Sequence, residues 1–257
     1  MAGYVDLDGV NTWYDEHGAG EPLVLLHPGG VDSRAFAPNL DALAARFRVF
    51  TPERRAHGRT QDVDGPLSYE LMADDTAAFI EKVIGEPAHV VGCSDGGCVA
   101  LLTALRHPGL VRRLVDVSGV FHHDGWLPGV LDFSADDEAF FAAGYAELSP
   151  DGPEHYPVVA AKLAEMHAGG PALTTAELAG ITCRTLIMVG DDDELRPEHV
   201  FALYHALPDG ELAVVPGTSH GLLVEKPDLC HRLIVDFLTT APVPTYAPIH
   251  RAAPSPS

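Results

Sequence analysis

Gly92-Cys93-Ser94-Asp95-Gly96-Gly97 lies between a β-branched run, Ala88 to Val91, and an apolar run with helical spacing, Val99 to Leu105. This is a G-x-S-x-G element in a strand–turn–helix setting, the context that a nucleophilic serine on a tight elbow requires. The glycines have a physical task. So sharp a turn holds the serine in a strained backbone conformation, and a Cβ two residues to either side would clash. In return the Ser94 hydroxyl stands clear at the carboxyl end of a strand. It also sits over a helix N-terminus, whose free N–H groups favour developing negative charge. The pentapeptide alone is common. Its placement gives it weight.

Working outward, Pro22 to Leu26 (PLVLL) reads as a short buried strand, closed by His27-Pro28-Gly29-Gly30, a turn able to present a backbone N–H to the serine. Downstream, Thr185 to Val189 is a second buried strand, closed by Gly190-Asp191-Asp192-Asp193-Glu194. Leu212 to Val215 then leads into Pro216-Gly217-Thr218-Ser219-His220-Gly221. A serine, a choice of three aspartates and a histidine thus follow one another, each at a strand end. These are the parts needed to activate a hydroxyl: an imidazole to take its proton and a carboxylate to fix the imidazole tautomer.

Across roughly residues 4–240 the chain resembles the α/β-hydrolase-fold serine hydrolases, whose triad runs in the chain order Ser, Asp, His. The loop Pro52-Glu53-Arg54-Arg55-Ala56-His57-Gly58-Arg59-Thr60 is similar to the family's P-D-x-R-G-H-G-x-S segment, departing from it at Glu53, Ala56 and Thr60. The S-D-G-G form of the elbow, with a short lid, resembles the biphenyl-hydrolase-like (valacyclovirase-type) esterases and small bacterial relatives. The resemblance implies Ser94 as nucleophile, His220 as base and then acid, and Asp193 as the orienting acid. Asp193 is chosen because the family pattern G-x-x-D counts from Gly190, which leaves Asp191 and Asp192 as turn residues.

Attack on a carbonyl needs preorganised N–H donors for the oxyanion. One is expected from the backbone of Asp95, the other from Gly29, since Pro28 has no N–H to give. Gly30, Phe121 and Trp126 are the candidate substrate contacts. His27 is read as a brace for its turn, and Arg55, His57 and Arg59 as residues that hold their own loop. The Asp95 side chain admits two readings. In the valacyclovirase-like branch such an acid is associated with substrates bearing a free amine. The reading preferred here points it under the sheet, paired with a local arginine or a backbone N–H.

Length and composition fit one α/β domain with a small insertion: 257 residues, 46% hydrophobic and 21% charged. The formal charge of −21 argues against nucleic acid or an anionic membrane as partner, and is otherwise an acidic solvated surface. Met1 to Val10 contains Asp6 and Asp8 and has no signal-peptide pattern, and no run reaches the length of a membrane span. Cys93, Cys98, Cys183 and Cys230 show no C-x-x-C spacing and are read as reduced packing residues, so a cytoplasmic location is expected.

The pattern predicts a hairpin at 4–8 and 10–15, then strand 22–26, helix 33–46 and strand 47–51. A helix capped by Ser68 runs to about Ile84, before strand 88–92, helix 96–106 and strand 111–117. Strands 184–189 and 211–215 alternate with helices 197–206 and 226–239, whose Pro197 and Pro227 suit the first turn. This βα alternation gives the expected fold class: α/β, an α/β-hydrolase fold with a mostly parallel central sheet, helices on both faces and a small helical lid inserted after strand 6. The expected divisions are a core of 1–120 and 181–240, a lid at 121–180, and a disordered Pro-rich tail at 241–257. Phe121, Trp126, Phe133, Phe140, Phe141, Tyr145 and Tyr156 would form the lid's apolar wall, most of them by packing alone.

His122, His123 and Asp124 could be metal ligands, but adjacent histidines on a loop without a second cluster are a weak signal. The sequence therefore calls for hydrolysis of small carboxylic esters through an acyl-serine, with no metal or organic cofactor. A lactonase of the same fold is the nearest rival. A non-catalytic hydrolase-like receptor or scaffold is the alternative from another class, disfavoured because all three triad residues are kept. An epoxide hydrolase or dehalogenase would need Asp at position 94.

Overall fold

The structure is a computed structural model describing residues 2–242 and 245–247, so the tail expected over 241–257 lies for the most part outside the described residues. Eight strands form one sheet: β1 (Gly3–Leu7), β2 (Val10–Gly18), β3 (Pro22–Leu26), β4 (Arg48–Pro52), β5 (Ala88–Cys93), β6 (Val111–Val117), β7 (Arg184–Gly190) and β8 (Gly210–Val215). Their order is β1-β2-β4-β3-β5-β6-β7-β8. The β1–β2 and β2–β4 pairs are antiparallel and the rest parallel.

The helices are α1 (Ala37–Ala44), α2 (Tyr69–Phe79), α3 (Asp95–Arg106), α4 (Ala135–Leu148), α5 (Tyr156–Gly169), α6 (Thr175–Leu178), α7 (Pro197–Ala206), α8 (Leu222–Glu225) and α9 (Pro227–Thr239). Neighbouring residues on the central strands enter opposite cores, which is why those strands read as continuous apolar runs. Val24, Val90 and Ile187 pack with α2, α3 and α7, whereas Leu25, Val91 and Met188 pack with α1 and α9.

One helical segment departs from its expected bounds, and two others keep theirs while differing in form. The 33–46 segment is divided: a 3₁₀ turn at Ser33–Phe36, capped by Asp32, precedes α1, because Pro38 is tolerated only in a first turn. The helix that Ser68 caps widens into a π-helical turn at Ile80–Ile84, closed by Gly85 at φ 77, whose N–H reaches Ile80 O at 2.8 Å. The last helix begins at Pro227, with α8 as a separate turn before it. Ala56, where the family pattern has glycine, takes φ 63.

Between β6 and β7 the chain leaves the sheet and builds α4, α5 and α6. It rises above the carboxyl ends of β3, β5 and β7, where Ser94, Asp193 and the His27–Gly30 turn lie.

Candidate active site

Ser94 joins β5 to α3 with φ 55 and ψ −121, a region that disfavours side chains. The flanking glycines are required by close approach: a Cβ on Gly92 would run into the Gly96 carbonyl, and one on Gly96 into the Leu26 carbonyl of β3. The sheet and the helix can be this close only without those Cβ atoms.

Three loops meet at the hydroxyl. His220 Nε2 is 3.0 Å from Ser94 Oγ, and His220 Nδ1 is 2.8 Å from Asp193 Oδ1. Asp193 Oδ1 also accepts the Glu194 N–H at 2.8 Å, and its Oδ2 accepts the Gly190 N–H at 2.9 Å and the Ser118 hydroxyl at 2.6 Å. Burial alone would raise the Asp193 pKa, but the His220 and Ser118 hydrogen bonds and the imidazole charge outweigh it and hold the carboxylate below its usual range. Burial lowers His220, and Asp193 more than offsets that, so the imidazole is a stronger base than usual. Asp191 does turn work, accepting the Thr218 N–H at 3.1 Å.

The second arm of the site is the His27–Gly30 turn. Gly30 has φ 68 and gives its N–H to His57 Nε2 at 3.2 Å, which leaves Gly29 as the glycine able to donate elsewhere. His57 can accept because its Nδ1 faces the Arg55 carbonyl at 2.9 Å, and burial with the nearby Arg54 charge lowers its pKa to about 4. His27 braces the turn from within: its Nδ1 meets the Pro28 carbonyl at 2.7 Å and its Nε2 accepts the Arg54 N–H at 3.2 Å. Arg55 pairs with Asp75, and Arg59 with Glu53, so both hold their own loop.

Asp95 is only 2% exposed, and its side-chain partners are neither arginine nor backbone. Tyr69 donates its hydroxyl to Oδ1 at 2.7 Å, and His167 Nε2 of α5 lies 2.9 Å from Oδ2. Burial opposes ionisation, yet the His167 charge and hydrogen bond, the Arg54 charge and the Tyr69 hydroxyl together keep Asp95 well below the usual carboxylate range.

Above Ser94 is a cavity of about 910 Å³ whose walls include Trp126, Val130, Phe133, Phe140, Phe141 and Leu163 from the insertion. Its polar lining is mostly acidic, with Asp132, Asp137, Glu138 and Glu194, and also includes His167 and His220. Trp126 and Gly30 line it, and the Trp126 ring meets His220 edge-on at 5.8 Å. Phe121 does not. Its ring stacks on His199 at 3.9 Å and is buried there, because its backbone N–H is tied to His199 Nε2 at 3.2 Å. The expectation of a substrate contact at Phe121 is therefore corrected. His122, His123 and Asp124 bring ligand atoms within 4.8 Å of one another. They are consecutive residues of one turn, in which His122 Nδ1 accepts the Asp124 N–H.

Three participants were not legible in the sequence. Ser118 had one usable signal, its place just past the end of β6. Tyr69 and His167 had none, being single polar residues on helices remote in the chain.

The sequence profile described as "Alpha/beta hydrolase family" matches residues 23–233. A putative carbamate hydrolase, RutD, of Azorhizobium caulinodans is 29% identical over 88% of this chain and 94% of its own. The serine hydrolase BPHL of Mus musculus is 28% identical over 91% of this chain and 85% of its own. Among solved structures, the enol-lactonase of Burkholderia xenovorans LB400 superposes with a TM-score of 0.75 at 23% identity, covering 93% of this chain and 100% of the other.

Proposed function

The chain belongs to the alpha/beta hydrolase family, and from that premise we propose that it is a serine hydrolase that cleaves small carboxylic esters through an acyl-serine intermediate. The observation that carries this reading is the unbroken run from Asp193 Oδ1 through His220 to Ser94 Oγ, with links of 2.8 and 3.0 Å, opening on the cavity.

Ser94 Oγ attacks the ester carbonyl as His220 Nε2 takes its proton, and Asp193 fixes the Nδ1–H tautomer and stabilises the imidazolium. The N–H groups of Gly29 and Asp95 receive the oxyanion, each such donor being worth about 2.7–4 kcal/mol of barrier. His220 returns the proton to the leaving alcohol. Water, deprotonated by the same imidazole, then attacks the acyl carbon, and the imidazolium returns that proton to Ser94 Oγ as the acid leaves. The insertion acts as a lid whose aromatic wall accepts the apolar part of the substrate and whose acidic groups disfavour anionic ones. A lactone opens by the same steps with its alcohol still tethered, and the carbamate-hydrolase relatives add carbamates to the range worth testing.

A fluorophosphonate probe should label the protein, and Ser94→Ala should abolish both labelling and turnover in a screen of acyl esters, lactones, carbamates and amino-acid esters. Stoichiometric labelling of the Ala variant would move the chemistry elsewhere.

A further inference from the structure

We propose that His167, on α5 of the insertion, is a positioning residue that sets the oxyanion site through the Asp95 side chain. The inference rests on the roles given above to Ser94, Gly29 and Asp95. Asp95 is the first residue of α3, so its side chain and its oxyanion-facing N–H move together. Its carboxylate lies directly against Gly29: a Cβ on Gly29 would run into Asp95 Oδ2. One carboxylate thus abuts both arms that supply N–H donors.

Among the described residues, two side chains hydrogen-bond that carboxylate, Tyr69 from α2 and His167 from α5. Arg54 contributes charge without a bond, and among the described residues its Nε and Nη1 have no hydrogen-bond partner. The remaining titratable groups whose charge is felt with that of Asp95 are His57, Cys98 and His220. A buried carboxylate keeps one position only while its donors are in place. The atom that presses on Gly29, Oδ2, is the one held by His167. Removing that donor frees the oxygen to swing or to recruit water, and the Gly29–Asp95 spacing relaxes with it. Seating α5 is therefore coupled to forming the oxyanion site, which gives the insertion a part in turnover beyond walling the cavity.

Charge enters as well. The Asp95 carboxylate outweighs burial and the nearby Arg54 charge and raises the His167 pKa above its ordinary value, so the pair is an ion pair below that raised value and loses its charge as pH rises past it.

The test compares His167→Ala, His167→Gln, Asp95→Asn and the His167→Ala/Asp95→Asn double variant on a short neutral ester that leaves the outer cavity empty. His167→Ala should lower kcat about tenfold while KM shifts by less than about threefold. His167→Gln, whose amide can give the same hydrogen bond, should recover most of the loss. The double variant should be no worse than Asp95→Asn alone. A rise in KM alone, or additive losses, would overturn the proposal and leave the hydrolase reading intact. If turnover survives Ser94→Ala, the hydrolase reading falls, and NMR titration of the His167 ring decides the coupling. A lower pKa in Asp95→Asn upholds the clamp, and an unchanged one overturns it.

Discussion

Ser118 donates its hydroxyl to Asp193 Oδ2 at 2.6 Å, so the acid facing His220 is fixed from β6 as well as from its own loop. Ser118 holds φ 54, and its N–H is tied to the Met188 carbonyl at 2.9 Å, so the hydroxyl is aimed by a constrained backbone. Asp193 keeps two backbone donors without it. Ser118→Ala should therefore lower kcat only about tenfold, the scale of one hydrogen bond to a charged group, with little change in KM. Steady-state kinetics on one good ester checks this, and an unchanged kcat would make Ser118 a bystander.

The three consecutive aspartates should differ sharply. Asp193→Asn replaces the Nδ1–H acceptor by an amide that favours the wrong tautomer, at a cost on the order of 10⁴ in kcat. Asp191→Asn keeps a side-chain oxygen for the Thr218 N–H, and among the described residues Asp192 is held through its own N–H to the Thr218 carbonyl, so both should stay within about tenfold of the parent. A crippled Asp192→Asn would shift the assignment by one residue.

The pH dependence of kcat/KM follows from His220. Only the neutral imidazole can take the Ser94 proton, and Asp193 raises its pKa above the ordinary 6.5. Activity should rise with pH and reach half its plateau above that value. In Asp193→Asn the raising interaction is gone, so the residual activity should show its midpoint at lower pH. A midpoint that stays put would remove Asp193 as the source.

The two aromatics expected to contact substrate should separate. Trp126 lines the cavity and touches His220 edge-on, so Trp126→Ala should change kcat/KM for bulky esters more than for acetyl esters. Phe121 is buried against His199, so Phe121→Ala should lower stability by about 3–5 kcal/mol in a urea melt. A folded, fully stable Phe121→Ala with altered acyl preference would restore the original expectation.

Because Asp95 is already paired with His167 and Tyr69, it is poorly placed to read an amine. Asp95→Asn should cost α-amino esters and neutral esters equally. A loss confined to amine-bearing esters, measured at low and high salt, would show that the carboxylate faces the substrate.

Much of the fold was legible because each element carried its signal locally. The strand runs, the Ser68 cap and the Pro197 and Pro227 first turns are all properties of a few adjacent residues. The misjudged helix start fell where a single residue interrupts a periodic pattern, Pro38 at the beginning of α1. At the site, Ser94 and His220 stood out because tight turns need glycine at fixed offsets. Phe121 was misread since hydrophobicity alone does not say which face of an insertion a ring will take.

By itself the sequence determined the α/β-hydrolase fold, the elbow that strains Ser94, and the order of serine, acid and histidine along the chain. It could do so because strand, turn and cap preferences are short-range and bind residue type to backbone shape. Only the tertiary structure decided that Ser118 holds Asp193, that Phe121 turns to His199, and that His167 and Tyr69 reach Asp95 from helices 72 and 26 residues away. Those contacts arise from how separate elements pack over the sheet, and a side chain's partner across such distances leaves no periodic trace in the chain.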